Sequence, residues 1–514
     1  MTRSIVPVLR GNLLRSDTAS LKGGAVVASP RGNRIMRQIR PVFARSFVLP
    51  LFLIAACSTT RNATITGPPS PVHLTVRQTA FLDTLERRTF NWFWEQSNPS
   101  NGLTPDRWPT KSFSSVAAVG FALTAYPIGI ERHYITRSAG ADRALTTLRF
   151  MYNAPQGPQA TNVTGYKGFF YHFLDMQTGY RFEQVELSTI DTSLLLAGVL
   201  FCQSYFTENN STEAAIRAYA DSLYLRVDWQ WIRPKAPFVS MGWRPENGFI
   251  DYDWHGLNEG IILNVLALGS PTHPIDVAAW NAYTGTYKWA DFYGHQHVNF
   301  GPLFGHQYSH VWIDFRGIQD AYMRTKGIDY FENSRRATLS QRAYATANPD
   351  GWKDYGPDIW GLTAGDGPFD TTIVINGRPR QFHSYTARGA AAGEIRDDGT
   401  IAPTAAGGSI PFAPEITIPA LIRMREKYGD NLFSTYGFLD DFDPTLDINI
   451  TSRYGKVVPG IGWFDTDYLG IDQGPIVAMI ENYRSDLVWK TMRKNPYIIA
   501  GLKKAGFTGG WLEH

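Results

Sequence analysis

Residues 186–201 read ELSTIDTSLLLAGVLF: an acidic, hydroxyl-rich lead-in, then a run (192–201) that is apolar on nearly every side. A helix with that pattern has no face to offer water and must sit inside the fold. Four more stretches share it: 115–125 (SVAAVGFALTA), 259–268 (EGIILNVLAL), 416–424 (ITIPALIRM) and 474–482 (GPIVAMIEN). Between them lie helices with a charged stripe, at 75–96, 141–152, 211–227, 333–347 and 495–505. In the first of these Phe81, Leu85, Phe90, Phe93 and Trp94 recur at helical spacing. Buried helices alternating with half-exposed ones predict an all-α fold, an α/α-barrel with an inner and an outer ring. No period-two run of any length appears. The exception is 369–385, where Thr-Thr-Ile-Val-Ile followed by Asn376-Gly377 predicts a small β hairpin.

The N-terminal part reads as processing signal rather than fold. The apolar run 46–56 (SFVLPLFLIAA) follows Arg37, Arg40 and Arg45 and is too short to span a bilayer as a permanent helix. It ends in Leu53-Ile54-Ala55-Ala56-Cys57, a lipobox in which the Cys57 thiol takes the lipid. The expected organisation is a start extension and lipoprotein signal over 1–57, a Pro-rich polar tether over 58–73, and one catalytic domain over 74–514. This makes the chain an exported lipoprotein, periplasmic or outer-membrane anchored. The other cysteine, Cys202, leaves no disulfide framework, so the core alone must stabilise the domain. A net charge of +3 with no basic stripe argues against nucleic acid as a partner. Aromatic residues make up 14% of the chain, enough both for a large helical core and for stacking on sugar rings.

In such a barrel the cleft lies where the inner helices begin, and the loops leading into them are dense in acids. Glu183, Glu186 and Asp191 precede or open the helix at 192; Asp251, Asp253, Trp254, His255 and Asn258 precede Glu259; Glu415 opens the helix at 416; Trp463, Asp465, Asp467 and Asp472 precede the last. Longer loops carry His306, His310, Trp312, Asp314, Trp360 and Asp366. A single acid at a helix N-terminus is explained by the helix dipole and by capping. Several converging on one cavity instead repel and desolvate one another, which raises some pKa values and suits glycosidic cleavage. His306-x-x-x-His310 has helical metal-ligand spacing but lacks the glutamate that follows the first histidine in zinc proteases, and no metal or other cofactor is expected.

Several ordered segments resemble the bacterial "putative glucoamylase" proteins, which include glycoside hydrolase family 144, the endo-β-1,2-glucanases. They are 168–175 (GFFYHFLD), 186–195 (ELSTIDTSLL), Asn258-Glu259-Gly260, 312–316 (WIDFR), 358–364 (DIWGLTA) and 411–415 (PFAPE), and the likeness runs from about 75 to about 508. It implies an (α/α)6 barrel and hydrolysis of β-1,2-glucan with inversion, by either endo or sophorose-releasing action. Glu186 and Glu259 are expected as the principal carboxylates, with Asp191 supporting them. Glu259 would be the general acid because burial raises its pKa; Glu186 would orient or activate water. Tyr171, His172, Trp254, His310, Trp312, Trp360 and Trp463 are the expected sugar contacts. The expected partners are a β-glucan chain and, through Cys57, a membrane, with the protein itself a monomer. A transglycosylase or a hydrolase of another glucan on the same barrel, and a non-catalytic glycan-binding lipoprotein, are the alternatives.

Overall fold

The computed structural model describes residues 74–452 and 454–513, so the signal, Cys57 and the tether lie outside the described residues. The principal helices in chain order are α1 (Val76–Gln96), α2 (Val116–Glu131), α3 (Arg137–Asn153), α4 (Thr189–Tyr205), α5 (Ser211–Leu225), α6 (Gly260–Gly269), α7 (Tyr308–Trp312), α8 (Tyr330–Ala347), α9 (Pro403–Gly407), α10 (Pro414–Tyr428), α11 (Gly470–Ser485) and α12 (Pro496–Lys504).

Local chemistry sets where they begin. Thr75 and Gln78 form a reciprocal capping box at the start of α1. Ser115 caps α2 through the Ala118 amide, and Ser188 caps α4 through the Asp191 amide at 3.2 Å. Apolar pattern then sets which helices go inside. Along α4, Leu194, Leu195, Leu196, Val199, Leu200 and Phe201 are buried, each contributing roughly 1.5–3 kcal/mol. α2, α6 and α11 are likewise buried on all sides over most of their length, whereas α1, α3, α5 and α8 keep an exposed face. α2 packs on α4, α4 on α6, α6 on α7 and α7 on α11, and α11 returns to α2. α2 and α4 meet backbone to backbone. A Cβ on Gly198 would lie 2.1 Å from the Gly120 carbonyl oxygen, so any side chain at 198 would drive the two helices apart.

One expected inner helix is not inner. The stretch 416–424 belongs to α10, which continues into Arg423, Glu426 and Lys427 and exposes that face. Its apolar window is only the buried side of an amphipathic helix. The fully buried element nearby is α9, Pro403-Thr-Ala-Ala-Gly407, whose small residues leave little hydrophobic signal. Glu415 accordingly faces out and pairs with Arg335 at 2.6 Å.

β structure is confined to short ladders. A five-stranded antiparallel sheet (165–166, 169–171, 187–188, 242–244, 248–249) leads into α4, and a three-stranded one (442–443, 462–464, 456–458) lies before α11. The hairpin of Thr371–Ile375 with Arg378–Phe382 turns at Asn376 and Gly377, both at positive φ, as the Asn-Gly pair requires.

Candidate active site

Short ladders gather the N-termini of three buried helices. Arg107–Trp108 pairs with Tyr468–Leu469 ahead of α11; Ser114–Ser115, ahead of α2, pairs with Phe173–Leu174; Phe170–Tyr171 pairs with Leu187–Ser188 ahead of α4. Side chains of these loops therefore share one end of the molecule.

Glu259 is the N-cap residue of α6, yet it makes no capping hydrogen bond. The ordinary reason for an acid at this position is thus missing. Its Oε2 is buried with no hydrogen-bond partner among the described residues. Burial pushes its pKa up to about 8, and the Asp191 charge adds to the rise. At neutral pH the carboxyl therefore holds its proton.

Glu186 sits in the opposite environment. His172 Nδ1 donates to its Oε1 at 2.9 Å, and Arg244 Nη2 donates to its Oε2 at 3.1 Å. Residues 186 and 244 face each other across the 187–188 and 242–244 strands, which fixes this clamp. Burial works to raise its pKa, but His172 and Arg244 overcome it and hold the group at about 2. The group is therefore ionised at neutral pH. His172, expected on sugar, is the ion partner of Glu186 and stays part-exposed. Its Nε2 lies 3.6 Å from Asp191 Oδ2. Burial alone would lower its pKa, yet Asp191, Glu186 and Asp106 together push it up to about 9. Asp191 also accepts from the Ser188 hydroxyl.

Four of the acids noted in the loops, Asp366, Asp465, Asp467 and Asp472, join Asp440 and Asp441, which sequence reasoning missed, in a buried cluster. All six are at most 2% exposed. Asp440 Oδ2 accepts from the Asp366 amide at 2.8 Å, whereas Asp440 Oδ1 and Asp472 Oδ2 are buried with no hydrogen-bond partner among the described residues. Burial, reinforced by mutual repulsion, raises the pKa of Asp440, Asp441, Asp465 and Asp472. Burial pushes the Tyr308 phenol up, and the charges of Asp472, Glu259 and Asp440 add to the rise. Asp366, Asp465 and Asp467 offer oxygens within 4.8 Å of one another, a spacing that would suit a cation. The guanidinium of Arg107 already lies against this group, donating to Asp366 and standing 3.7 Å from Asp467.

Most of the expected sugar contacts are core. Trp312, Trp360 and Trp463 show no exposed surface; Trp312 Nε1 donates to Thr124, and Trp463 Nε1 donates to the Tyr454 carbonyl. Tyr171 is equally buried, beneath Arg181. His310 hydrogen-bonds Ser334 at 3.0 Å, and Trp254 donates to the Thr189 hydroxyl at 3.1 Å. A ring without a free face cannot stack on a sugar. The part-exposed aromatic rings beside the acids are Trp108, Phe113 and Tyr385. Trp108 follows Arg107 in the loop before α2, so the reasoning applied to the other helix-leading loops would have reached it.

Residues 251–496 match the family model described as "Putative glucoamylase". Across 457 residues the chain is 28% identical to the exo β-1,2-glucooligosaccharide sophorohydrolase (non-reducing end) of Parabacteroides distasonis; it covers 82% of this chain and 57% of that relative's length. A crystal structure from Bacteroides uniformis, described as a putative glucoamylase, superposes with a TM-score of 0.72 at 31% identity, covering 86% of this chain and 100% of its own. The endo-β-1,2-glucanase of Chitinophaga pinensis, in complex with sophorotriose and glucose, superposes with a TM-score of 0.71 at 29% identity, with the same coverages of 86% and 100%.

Proposed function

Because the chain belongs to the bacterial "putative glucoamylase" family, of glycoside hydrolase family 144 type, we propose that it is an enzyme hydrolysing β-1,2-glucan on an (α/α)6 barrel. The observation that carries this reading is Glu259, a buried, uncapped, proton-bearing carboxyl at the start of an apolar helix and close to a cluster of aspartates. Glu259 gives its proton to the glycosidic oxygen as the C–O bond breaks. A water molecule attacks the anomeric carbon from the opposite face, and an ionised carboxylate of the aspartate cluster takes the water's proton. The products are a free hydroxyl on the leaving sugar and an inverted hemiacetal. Glu186 and Asp191, held by His172 and Arg244, orient the groups around the reacting bond. Trp108, Phe113 and Tyr385 offer the part-exposed rings for the sugar.

The test is incubation of the protein, starting after Cys57, with linear β-1,2-glucan while products are resolved over time. A ladder of sophoro-oligosaccharides identifies endo action, and sophorose alone from the first time point identifies exo action. Proton NMR of the first product should show the α-anomer. A folded sample that releases nothing overturns the β-1,2-glucan reading. The motif at 53–57 supports the further reading that the enzyme is an exported lipoprotein anchored through Cys57. Metabolic labelling with a palmitate analogue should mark the wild type and fail on C57A.

A further inference from the structure

Acids outnumber cations in this cluster, and their distribution is uneven. Arg107 donates to both Asp366 oxygens, one of them at 3.3 Å, stands 3.7 Å from Asp467 Oδ2, and reaches Asp106 Oδ2 at 3.4 Å. Arg388, the other guanidinium, is committed to Asp398 at 2.6 Å and to Asp441 at 3.4 Å. Among the described residues, Asp440, Asp465 and Asp472 have no arginine or lysine within 4.0 Å.

We propose that Arg107 is the positioning residue that sorts this cluster, setting its positive charge against Asp366 and Asp467 and leaving their neighbours Asp440, Asp465 and Asp472 without a cationic partner. It rests on the hydrolase reading above and deepens it, because a cluster in which every acid was neutral would contain no base. The guanidinium is itself fixed: it lies 4.5 Å over the Tyr454 ring and is only 12% exposed. From other elements Asp440 also bears on it, while Asp441, Asp465 and Asp472 bear on Asp366 and Asp440. The phenols of Tyr308 and Tyr385 stand beside these acids, and His172 faces Asp106. Among the described residues, Arg107 is the arginine or lysine that pairs with the Asp366 and Asp467 carboxylates; Arg388 reaches the Asp366 backbone carbonyl, at 3.0 Å. Burial raises Asp465 and Asp472 well above the carboxylate range, in keeping with their lack of a cationic partner.

The experiment compares wild type, R107M and R107K by the pH dependence of kcat/KM on β-1,2-glucan and, without substrate, by the protonated-carboxyl stretch in the infrared. In R107M the acidic limb should move up by about 1–3 pH units, with activity partly recovered at higher pH. R107K should move it in the same direction by less, since one ammonium cannot bridge two carboxylates. Both variants should absorb more as protonated carboxyl at neutral pH. Folded R107M with the wild-type acidic limb and an unchanged infrared band overturns the proposal; if R107M does not fold, the same result from R107K does so. If the wild type fails to cut β-1,2-glucan, the functional reading falls, while the infrared difference still decides what Arg107 does.

Discussion

The buried helices carry acids and arginines at both ends, in different proportions. At the C-terminal ends of α2 and α11, Glu86 is fully buried and Arg484 donates to it at 2.6 Å; Arg132 lies 3.4 Å from it and also pairs with Glu481. Burial, with Glu481 beside it, still pushes Glu86 up to about 8, as high as Glu259 at the other end. A raised carboxyl is therefore no mark of chemistry by itself. The two ends differ in how their charges are matched. The buried Glu86 and Glu481 share two guanidinium groups, one of which also reaches the exposed Asp83, whereas Glu259 has none and the aspartates divide Arg107 and Arg388 among them. A matched set locks helices together, and an unmatched one keeps protons available for transfer.

The sharpest way to break this comparison is E259Q, which should lower kcat by roughly 10²–10⁴-fold on β-1,2-glucan with thermal stability kept. Turnover within tenfold of wild type would remove Glu259 from the acid role. At the matched end, R132M should cost roughly 3–5 kcal/mol in urea unfolding, because it strands buried carboxylates, while kcat per folded molecule stays unchanged. A fall in kcat with no loss of stability would mean that the two ends are not separate.

A third measurement concerns His172. Its pKa rises from 6.5 to about 9 on folding, so its contribution to stability is complete below pH 6.5 and disappears as pH climbs through 9. That rise sets an upper bound of roughly 3 kcal/mol, and the depression of Glu186 is the same interaction seen from its partner. H172Q should flatten the decline in melting temperature between neutral and alkaline pH; an unaltered decline would refute the assignment. The smallest effect should come from R336A, which removes the surface pair with Glu332 at 2.7 Å. It should shift stability by less than ~0.5 kcal/mol and leave activity alone, setting the floor against which the other three are read.

The long helices were legible because burial imposes a 3.6-residue signature over three or more turns, as at 76–96 and 189–205. α7 and α9, five residues each, were not, since a single turn has no period to read. Glu259 was legible from its place before an apolar run. Asp440 and Asp441 were not: they belong to no helix N-terminus, and their meaning depends on Asp366, which is 74 positions from Asp440 and joined to it by a backbone contact. The tryptophans misled for a related reason, because composition cannot tell a ring that lines a cleft from one that fills a core.

The contact between Gly120 and Gly198 has a consequence for the site. Two helices that meet backbone to backbone have no side chains there to repack, so their separation behaves as a fixed gauge. The loop bearing Arg107 leads into one helix, and the strand bearing Glu186 leads into the other. The spacing between the anchor points of these two site-bearing segments is therefore set by two glycines rather than by side chains that could repack.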